Sequence, residues 1–275
     1  MKRLFSVVVL VLIIASLVPA GCSQQTAKNI RLQDTATRIQ RILQSELNSL
    51  DADLATAAKQ LSTKDLAGPE AKSILLELCQ NRPYIVDTCT IDSNGKMVMV
   101  EPEEYNKYAG SDISGQEQVI KLLQTRQPVF SHSFKAVEGF YAVDLENPVF
   151  SANGELRGSV SALIKPEVLF DKLARPVMDE TSFEKVWAMQ KDGRIIYDYD
   201  SAEIGTNLFT GPLYQPYTEL LTLGKQISER ETGCGKYQFL NLGMKEPVKK
   251  QACWSSLSLH GTQWSIIVVQ VTGEQ

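Results

Sequence analysis

Apolar residues recur every three or four positions between residues 32 and 61, which predicts one long amphipathic helix. Neither glycine nor proline occurs between residues 24 and 67, so nothing in this segment interrupts a helix. Two interpretations of the stripe stay open: pairing with a second chain as a coiled coil, or packing along the back of the chain's own domains. The alanines in the stripe favour the second. The apolar positions are Leu32, Ala36, Ile39, Leu43, Leu47, Leu50, Leu54, Ala57 and Leu61.

After this helix the pattern changes to short apolar runs bounded by turns, which predict strands. The first two runs flank Asp92-Ser-Asn-Gly95, a sequence typical of a tight hairpin because Asn-Gly tolerates positive φ. A polar loop containing Gly110-Ser-Asp112 and a helix over residues 116–123 separate them from three further strands. This order is that of a PAS-like sheet. The five runs occupy residues 84–91, 97–100, 128–134, 140–150 and 158–163.

A shorter version of this order follows in the second half of the chain. Strands predicted at 185–190 and 194–199 flank another turn, and Glu203-Ile-Gly205-Thr-Asn207 corresponds to the earlier polar loop. The turn glycines Gly95 and Gly193 lie 98 residues apart, so the predicted duplication has the size of a domain.

The first 22 residues have the features of a targeting segment. Lys2 and Arg3 precede an apolar run over residues 4–18, which is short for a membrane span of about 20 residues. The ending Pro19-Ala-Gly-Cys22 resembles a lipoprotein signal, so we expect lipidation of Cys22. Pro19 stands where such signals usually have an aliphatic residue, so ordinary cleavage and an uncleaved N-terminal anchor are the alternatives.

Four cysteines remain after Cys22, an even number that suggests disulfides in an exported chain. Each half of the chain holds two of them, and the simplest pairing is Cys79 with Cys89 and Cys234 with Cys253. Neither pair has the spacing of a metal site. Free buried thiols are an equally weighted alternative.

The order and spacing of these pieces resemble the double Cache sensor domains of bacteria and archaea, the extracellular halves of many chemoreceptors and histidine kinases. This resemblance implies an α+β fold in which the long N-terminal helix carries two PAS-like (Cache) lobes, each a mainly antiparallel sheet of about five strands. With the leader at 1–22 set apart, it implies a linker and helix at 23–67, a membrane-distal lobe at 68–175 and a membrane-proximal lobe at 176–275. The residues that carry it are the helix, Asp92-Ser-Asn-Gly-Lys96, Gly110-Ser-Asp-Ile-Ser114, Pro148-Val-Phe150 with Gly154 and Gly158, Asp192-Gly-Arg-Ile-Ile-Tyr197, Ile204-Gly205 and Trp264.

The resemblance also implies a ligand pocket in the distal lobe, between the sheet and the loop and helix that cover it. Members that bind amino acids carry an Arg-x-Trp clamp at about the place of residues 112–116, and here that clamp is absent. Pockets combine apolar walls with a few placed polar groups; for each single candidate, an ordinary surface side chain is the competing interpretation. The candidate ligand-binding residues are Tyr105, Tyr108, Asp112, Ser131, Ser133, Tyr141 and Asp144.

Composition and motifs argue against several other function classes. The net charge of −4, without any basic block, argues against nucleic acid as a partner. His132 and His260 fall in different lobes, so no metal site is expected. The chain has no Gly-x-Ser-x-Gly motif and no phosphate-binding glycine loop. The neighbouring carboxylates Glu101, Glu103 and Glu104 indicate an exposed acidic loop without the apolar setting of an acid/base pair. We therefore expect neither an enzyme nor a cofactor.

The resulting hypothesis is an extracytoplasmic sensor, anchored to the cell membrane, that binds an unknown small molecule. Because the chain ends at Gln275, soon after its last strand, we expect no output domain of its own. It would then present ligand to a receptor or transporter partner, with a homodimer through the long helix as an additional assembly. The alternative is an envelope interaction or structural protein whose pocket is vestigial.

Overall fold

The structure, a computed structural model, describes residues 20–178, 185–243 and 245–272, with side chains from residue 27 onward. Residues 1–19 of the predicted leader and the side chain of Cys22 lie outside this part. The helices are α1 (Ala20–Leu61), α2 (Pro69–Cys79), α3 (Glu117–Thr125), α4 (Pro166–Leu173) and α5 (Thr218–Glu229). The strands are β1 (Ile85–Asp92), β2 (Met97–Glu101), β3 (Val129–Phe130), β4 (Phe134–Lys135), β5 (Tyr141–Phe150), β6 (Leu156–Ile164), β7 (Lys185–Gln190), β8 (Ile195–Asp198), β9 (Thr232–Phe239), β10 (Val248–Leu259) and β11 (Thr262–Val271).

The strands form two separate sheets, one for each half of the chain. The first has the order β2-β1-β6-β5-β3, with β4 also pairing with β5, and the second has the order β8-β7-β11-β10-β9. Every strand pair is antiparallel. The expected α+β fold, with one long helix and two antiparallel sheets, is therefore confirmed.

The two lobes repeat each other down to the register of their first hairpin. Ile91 is opposite Met97 in the first lobe, and Met189 is opposite Ile195 in the second, which is the same pairing displaced by 98 residues. In each hairpin a bulge immediately precedes this pair. The spacing of the turn glycines therefore marks a true structural correspondence.

Helix α1 packs along both lobes with the apolar stripe that the sequence predicts. All nine stripe positions are buried, with at most 3% of each residue exposed, in a core that includes residues of both sheets. The chain therefore covers its own stripe, and the coiled-coil interpretation of it is wrong. A homodimer through other faces of α1 stays a prediction. Within the part of the chain that the structure describes, no helix is both long enough and apolar enough to span a membrane.

One carboxylate on α1 ties the helix to both lobes. Asp51 Oδ1 accepts hydrogen bonds from Asn147 Nδ2 at 3.0 Å and from His260 Nε2 at 2.8 Å. Partial burial acts to raise the pKa of Asp51, but the hydrogen bonds from His260 and Asn147 outweigh it and hold the pKa below its ordinary value. Asn147 belongs to the first lobe and His260 to the second, so Asp51 fixes both against the helix.

The cysteines divide between the lobes in a way that the sequence did not resolve. Cys234 and Cys253 are directly opposite on β9 and β10 and form a disulfide. Cys79 and Cys89 are free, so the pairing of these two is wrong. Cys79 Sγ lies 3.5 Å from the Thr88 hydroxyl, and the next side chain, that of Cys89, points to the other face of β1.

Candidate functional site

The first sheet has two unlike faces. The face toward α1 is apolar and includes Val143 and Leu145 of β5 and Val160 and Ala162 of β6. Because side chains alternate along a strand, the residues between them point to the opposite face, beneath the covering loop and α3. That face is polar, and it carries Asp87 and Cys89 of β1, Ser159 and Ser161 of β6, and Asp144 and Glu146 of β5.

Strand register places three carboxylates close together on this polar face. Asp87 and Asp144 are both opposite Leu163 of β6, one from each side, and Glu146 is opposite Ser161 in the next row. All three are buried: 2% of Asp87, 4% of Asp144 and none of Glu146 is exposed. We call Asp87, Asp144 and Glu146 the distal carboxylates.

A small cavity lies between two of the distal carboxylates, Asp87 and Asp144, and the segments above them. Its volume is about 30 Å³, room for about one water molecule. Asp87 and Asp144 line its floor, together with Cys89 and Ser161. The cover comes from the segment leading into α3 and from the connection between β4 and β5. The covering residues include Ile113, Gln116, Gln118, Val137 and Glu138.

Burial disfavours the charged forms of all three carboxylates. Burial and then the charge of Glu138 raise the pKa of Asp87 to about 8. Burial raises the pKa of Asp144 well above its ordinary value, and the charges of Glu146 and Asp87 add to this effect. The pKa of Glu146 is raised to about 7 by burial, although a hydrogen bond from Ser159 lowers it. At neutral pH the protonated forms of Asp87 and Asp144 are therefore favoured, and Glu146 is partly protonated.

The distal carboxylates also lack cationic partners. Across the described residues, no lysine, arginine or histidine nitrogen comes within 4.0 Å of any of them. Within the same part of the chain, Asp87 Oδ2 and Glu146 Oε2 have no hydrogen-bond partner at all. Buried carboxylate oxygens without partners are costly, and in native structures such groups call for an explanation.

The structure places one of the seven predicted ligand-binding residues, Asp144, in the wall of this cavity. Tyr105 and Tyr108 pack on the apolar cluster under the covering loop, with ring centroids 6.4 Å apart. Asp112 is exposed in a turn, where its Oδ1 accepts a hydrogen bond from the Ser114 N–H at 3.0 Å. These last three lie beside the cavity or above it, without lining it.

The remaining three predicted residues serve local structure or the contact between the lobes. Ser131 Oγ accepts from the Asp144 N–H at 2.8 Å, and the Ser133 N–H donates to Gln190 Oε1 of the second lobe at 3.0 Å. Tyr141 packs its ring over Gly205, where an added Cβ would lie 2.4 Å from that ring. The structure therefore does not bring the seven candidates together.

Sequence reasoning missed most of the residues that do meet at the cavity. Their signal lies in the central strands, where polar residues take every second position: Asp87 and Cys89, Ser159 and Ser161, Asp144 and Glu146. Buried central strands are usually apolar on both faces or polar toward solvent. Polar residues that alternate with apolar ones inside the predicted first, fourth and fifth runs could have indicated an enclosed polar face.

Comparison with known proteins supports a sensor fold. The family model described as HK/GC/Chemotaxis protein-like, sensor domain, matches residues 45–166. No curated protein matches the chain. The matching structures and the family model are extracellular ligand-binding sensor domains of the Cache, PAS-like type, so the resemblance found in the sequence is confirmed.

Three solved structures illustrate the range of similarity. An extracellular ligand binding receptor from Desulfohalobium retbaense is 31% identical with a TM-score of 0.70; the match covers 87% of this chain and 40% of that one. The periplasmic sensory domain of the Campylobacter jejuni chemoreceptor Tlp1 is 17% identical, with coverages of 90% and 95% and a TM-score of 0.64. The ligand-binding domain of the Pseudomonas aeruginosa amino acid chemoreceptor PctB, in complex with L-Arg, is 12% identical, with coverages of 90% and 96% and a TM-score of 0.61.

Proposed function

Because the chain has the fold of double-lobed extracellular sensor domains, we propose that it is an extracytoplasmic sensor whose distal lobe binds a small organic cation. One observation carries the proposal: three carboxylates are buried on one sheet face without a cationic partner among the described residues. A ligand ammonium or guanidinium group supplies the missing charge and the missing hydrogen-bond donors.

The arrangement favours an organic cation over a metal ion. Among the described residues, no group of three or more histidine, cysteine, aspartate or glutamate side chains is arranged to hold a metal. Asp87 and Asp144 instead line one cavity from the strands on either side of Leu163. Two carboxyl groups in this arrangement suit a ligand group that carries several N–H donors.

The small volume of the cavity determines how a ligand enters. A space of about 30 Å³ accepts a cationic head, while the rest of the ligand requires the cover above it to shift. Proteins commonly adjust covering loops on binding, and the ligand then shifts the population toward the open form. Displacement of the cover is also the conformational signal that a sensor passes on.

The ligand class follows from this chain's own residues together with its relatives. PctB is an amino acid chemoreceptor with bound L-Arg. The present chain has no Arg-x-Trp sequence at residues 112–116, so a cation that needs no carboxylate recognition fits better than a free α-amino acid. Amines and guanidines are the proposed class.

We further propose that the protein is held at the membrane and presents ligand to a receptor or transporter partner. The positively charged start, the apolar run over residues 4–18 and Cys22 support a lipid anchor. Labelling with a radioactive fatty acid tests this anchor: Cys22→Ser is expected to abolish incorporation, and unchanged labelling in that variant would contradict it.

Calorimetric titration with a panel of small amines, guanidines and matched carboxylates at pH 8 tests the binding function. We expect an amine or guanidine to bind and Asp144→Asn to weaken it at least tenfold, because the variant cannot supply the charge. Asp112→Asn is the matched control, since Asp112 is exposed and lies outside the cavity. If only carboxylates bind, the charge assignment is wrong.

The envelope interaction protein is the second candidate, favoured by the fact that side chains leave only about 30 Å³ in the distal lobe. A complete lack of binding across the panel would support this role against the sensor.

A further inference from the structure

A second and larger cavity lies in the proximal lobe, at the position equivalent to the distal cavity. Its volume is about 180 Å³, and it lies between the sheet and the segment that runs through α5. Trp187 and Ile195 line it, and these residues correspond to Cys89 and Met97 of the distal site after displacement by 98 residues. The duplication has therefore kept the pocket in both lobes while changing how much of it is filled.

Five aromatic side chains contribute to the wall of this cavity. Trp187, Tyr199, Tyr214, Tyr237 and Phe239 all line it. The ring centroids of Tyr214 and Phe239 are 5.6 Å apart. Among the residues that the structure describes, the indole N–H of Trp187 has no hydrogen bond of normal geometry. Only 6% of this residue is exposed. Aromatic faces attract cations and also accept flat apolar groups.

Three carboxylates, those of Asp198, Asp200 and Glu203, and the ammonium group of Lys250 belong to the wall of the cavity. Asp198 Oδ1 accepts from the Asp200 N–H at 2.9 Å, and the Tyr214 hydroxyl donates to Glu203 Oε2 at 2.9 Å. Lys250 Nζ donates to the Leu240 carbonyl at 2.7 Å.

The single lysine does not balance the acidic side chains. Lys250 Nζ lies 5.4 Å from the Phe239 ring centroid, and 5% of this residue is exposed. With Asp198, Asp200 and Glu203 all in the wall, acids exceed bases by two. A partly buried site with this imbalance favours a positively charged occupant.

We infer that the proximal lobe holds a second ligand site, for an organic ammonium ion with a flat apolar body. The ammonium group meets Asp198 and Glu203, and the body lies against the aromatic wall. A cavity of about 150 Å³ is large enough for benzene, so about 180 Å³ accommodates one ring with a short side chain.

The protonation behaviour of Asp198 and Glu203 predicts how binding of a cation depends on pH. Burial and the charge of Glu203 raise the pKa of Asp198 to about 8, against the lowering effects of the Asp200 amide and Lys250. Burial likewise raises the pKa of Glu203 and lowers that of Lys250. A bound cation prefers ionised Asp198, so binding releases protons and tightens as pH rises toward 8. The three tyrosines in the wall, Tyr199, Tyr214 and Tyr237, have raised pKa values and stay neutral there.

Two probes of equal shape and opposite charge test this site: phenethylamine and 3-phenylpropionate. Calorimetry at pH 8 measures their affinities for the full chain, and the indole N–H signals of its three tryptophans report where they bind. We expect phenethylamine to bind at least tenfold more tightly than the anion and to shift the Trp187 signal, which is assigned with Trp187→Phe.

Asp198→Asn is the decisive variant, because asparagine keeps the oxygen that accepts from the Asp200 N–H while removing the charge. We expect at least a tenfold loss of phenethylamine affinity, with an unchanged thermal unfolding midpoint at pH 5 as evidence of folding. Asp144→Asn is the control for the distal lobe and should leave the Trp187 shift intact, so that failure of one site is distinguishable from failure of the other. Preference for the anion, unchanged affinity in Asp198→Asn, or no binding by either probe would each overturn the inference.

Discussion

The two lobes share one strand plan but differ in how their pockets are filled. In the distal lobe, small side chains such as Cys89 and Ser161 leave about 30 Å³ above buried carboxylates. In the proximal lobe, Trp187 takes the position of Cys89, yet a cavity of about 180 Å³ remains. The same topology thus supports a closed polar site and an open aromatic one. Strand order specifies where a pocket lies, and side chains specify what it accepts.

The largest expected effect on stability comes from replacing Trp187 of the proximal lobe by cysteine, the residue at the equivalent position of the distal lobe. Trp187→Cys removes a large buried side chain from the core of the proximal lobe and should cost about 3–5 kcal/mol of unfolding free energy. Urea denaturation measures the loss. The matched change Cys89→Ala in the distal lobe should cost about 1 kcal/mol. Similar losses of unfolding free energy in Trp187→Cys and Cys89→Ala would contradict the claim that the two pockets are filled differently.

The disulfide sharpens the comparison because it belongs to the proximal lobe alone. Cys234 and Cys253 are 19 residues apart, and a cross-link of this span contributes about 3 kcal/mol through the unfolded state. Replacing both cysteines by serine should lower the stability of the proximal lobe by this amount. Hydrogen exchange resolves the lobes separately, and Cys79→Ser, which touches no disulfide, is the control. Equal loss of protection in β1 and β10 would count against a local effect.

The distal carboxylates predict a stability that depends on pH. Asp87 has a folded-state pKa of about 8, above its unfolded value near 3.8, so the folded state binds the proton more tightly. The stabilising contribution of protonated Asp87 is therefore fully present below about pH 4 and is lost as pH rises through 8. Relative to the parent, Asp87→Asn should therefore gain about 1–3 kcal/mol of unfolding free energy between pH 5 and pH 8.5. Chemical denaturation at the two pH values measures this.

The exposed carboxylate Asp112 offers the matched control for that pH effect. Hydrogen bonds from Ser114 hold its pKa below the ordinary value, and the side chain lies in water, so Asp112→Asn should not reproduce the gain at high pH. If Asp112→Asn gained a similar amount of stability at high pH, the pH dependence would come from the net charge and not from the buried carboxylate.

The smallest expected effect concerns the helix that joins the lobes. Asp51→Asn removes the charge that binds Asn147 and His260, and should cost about 1 kcal/mol at pH 7 because the pair is partly exposed. Since the pKa of Asp51 is lowered in the folded state, this contribution is present above pH 4 and disappears at lower pH. The difference between parent and variant in thermal midpoint at pH 7 and pH 3 measures it, and an equal difference at both would contradict the charge argument.

Sequence patterns predicted the fold well because its main determinants are local. The three- and four-residue spacing from Leu32 to Leu61 specifies one buried helix face, and Asn-Gly and Asp-Gly turns specify the hairpins. The choice between self-packing and a coiled coil needed the structure, because the same stripe serves both.

The site was predicted poorly because it depends on register between strands distant in sequence. Asp87 and Asp144 meet only because both are opposite Leu163, a pairing that no short motif encodes. The residue type of Tyr141 suggested a pocket residue, but its ring packs against Gly205 of the second lobe. Cys79 and Cys89 are ten residues apart, yet they diverge because Thr88 takes the face toward Cys79.

The most direct test of the central claim is a carbon-13 NMR titration of the distal carboxylates in the protein without ligand. The account predicts that Asp87 titrates near pH 8 and Glu146 near pH 7, with Asp144 far above the ordinary range for aspartate. Added amine ligand should then move these titrations to lower pH. Ionisation of all three below pH 5 in the free protein would mean that the chain already supplies their partner, and would contradict a cation-binding distal lobe.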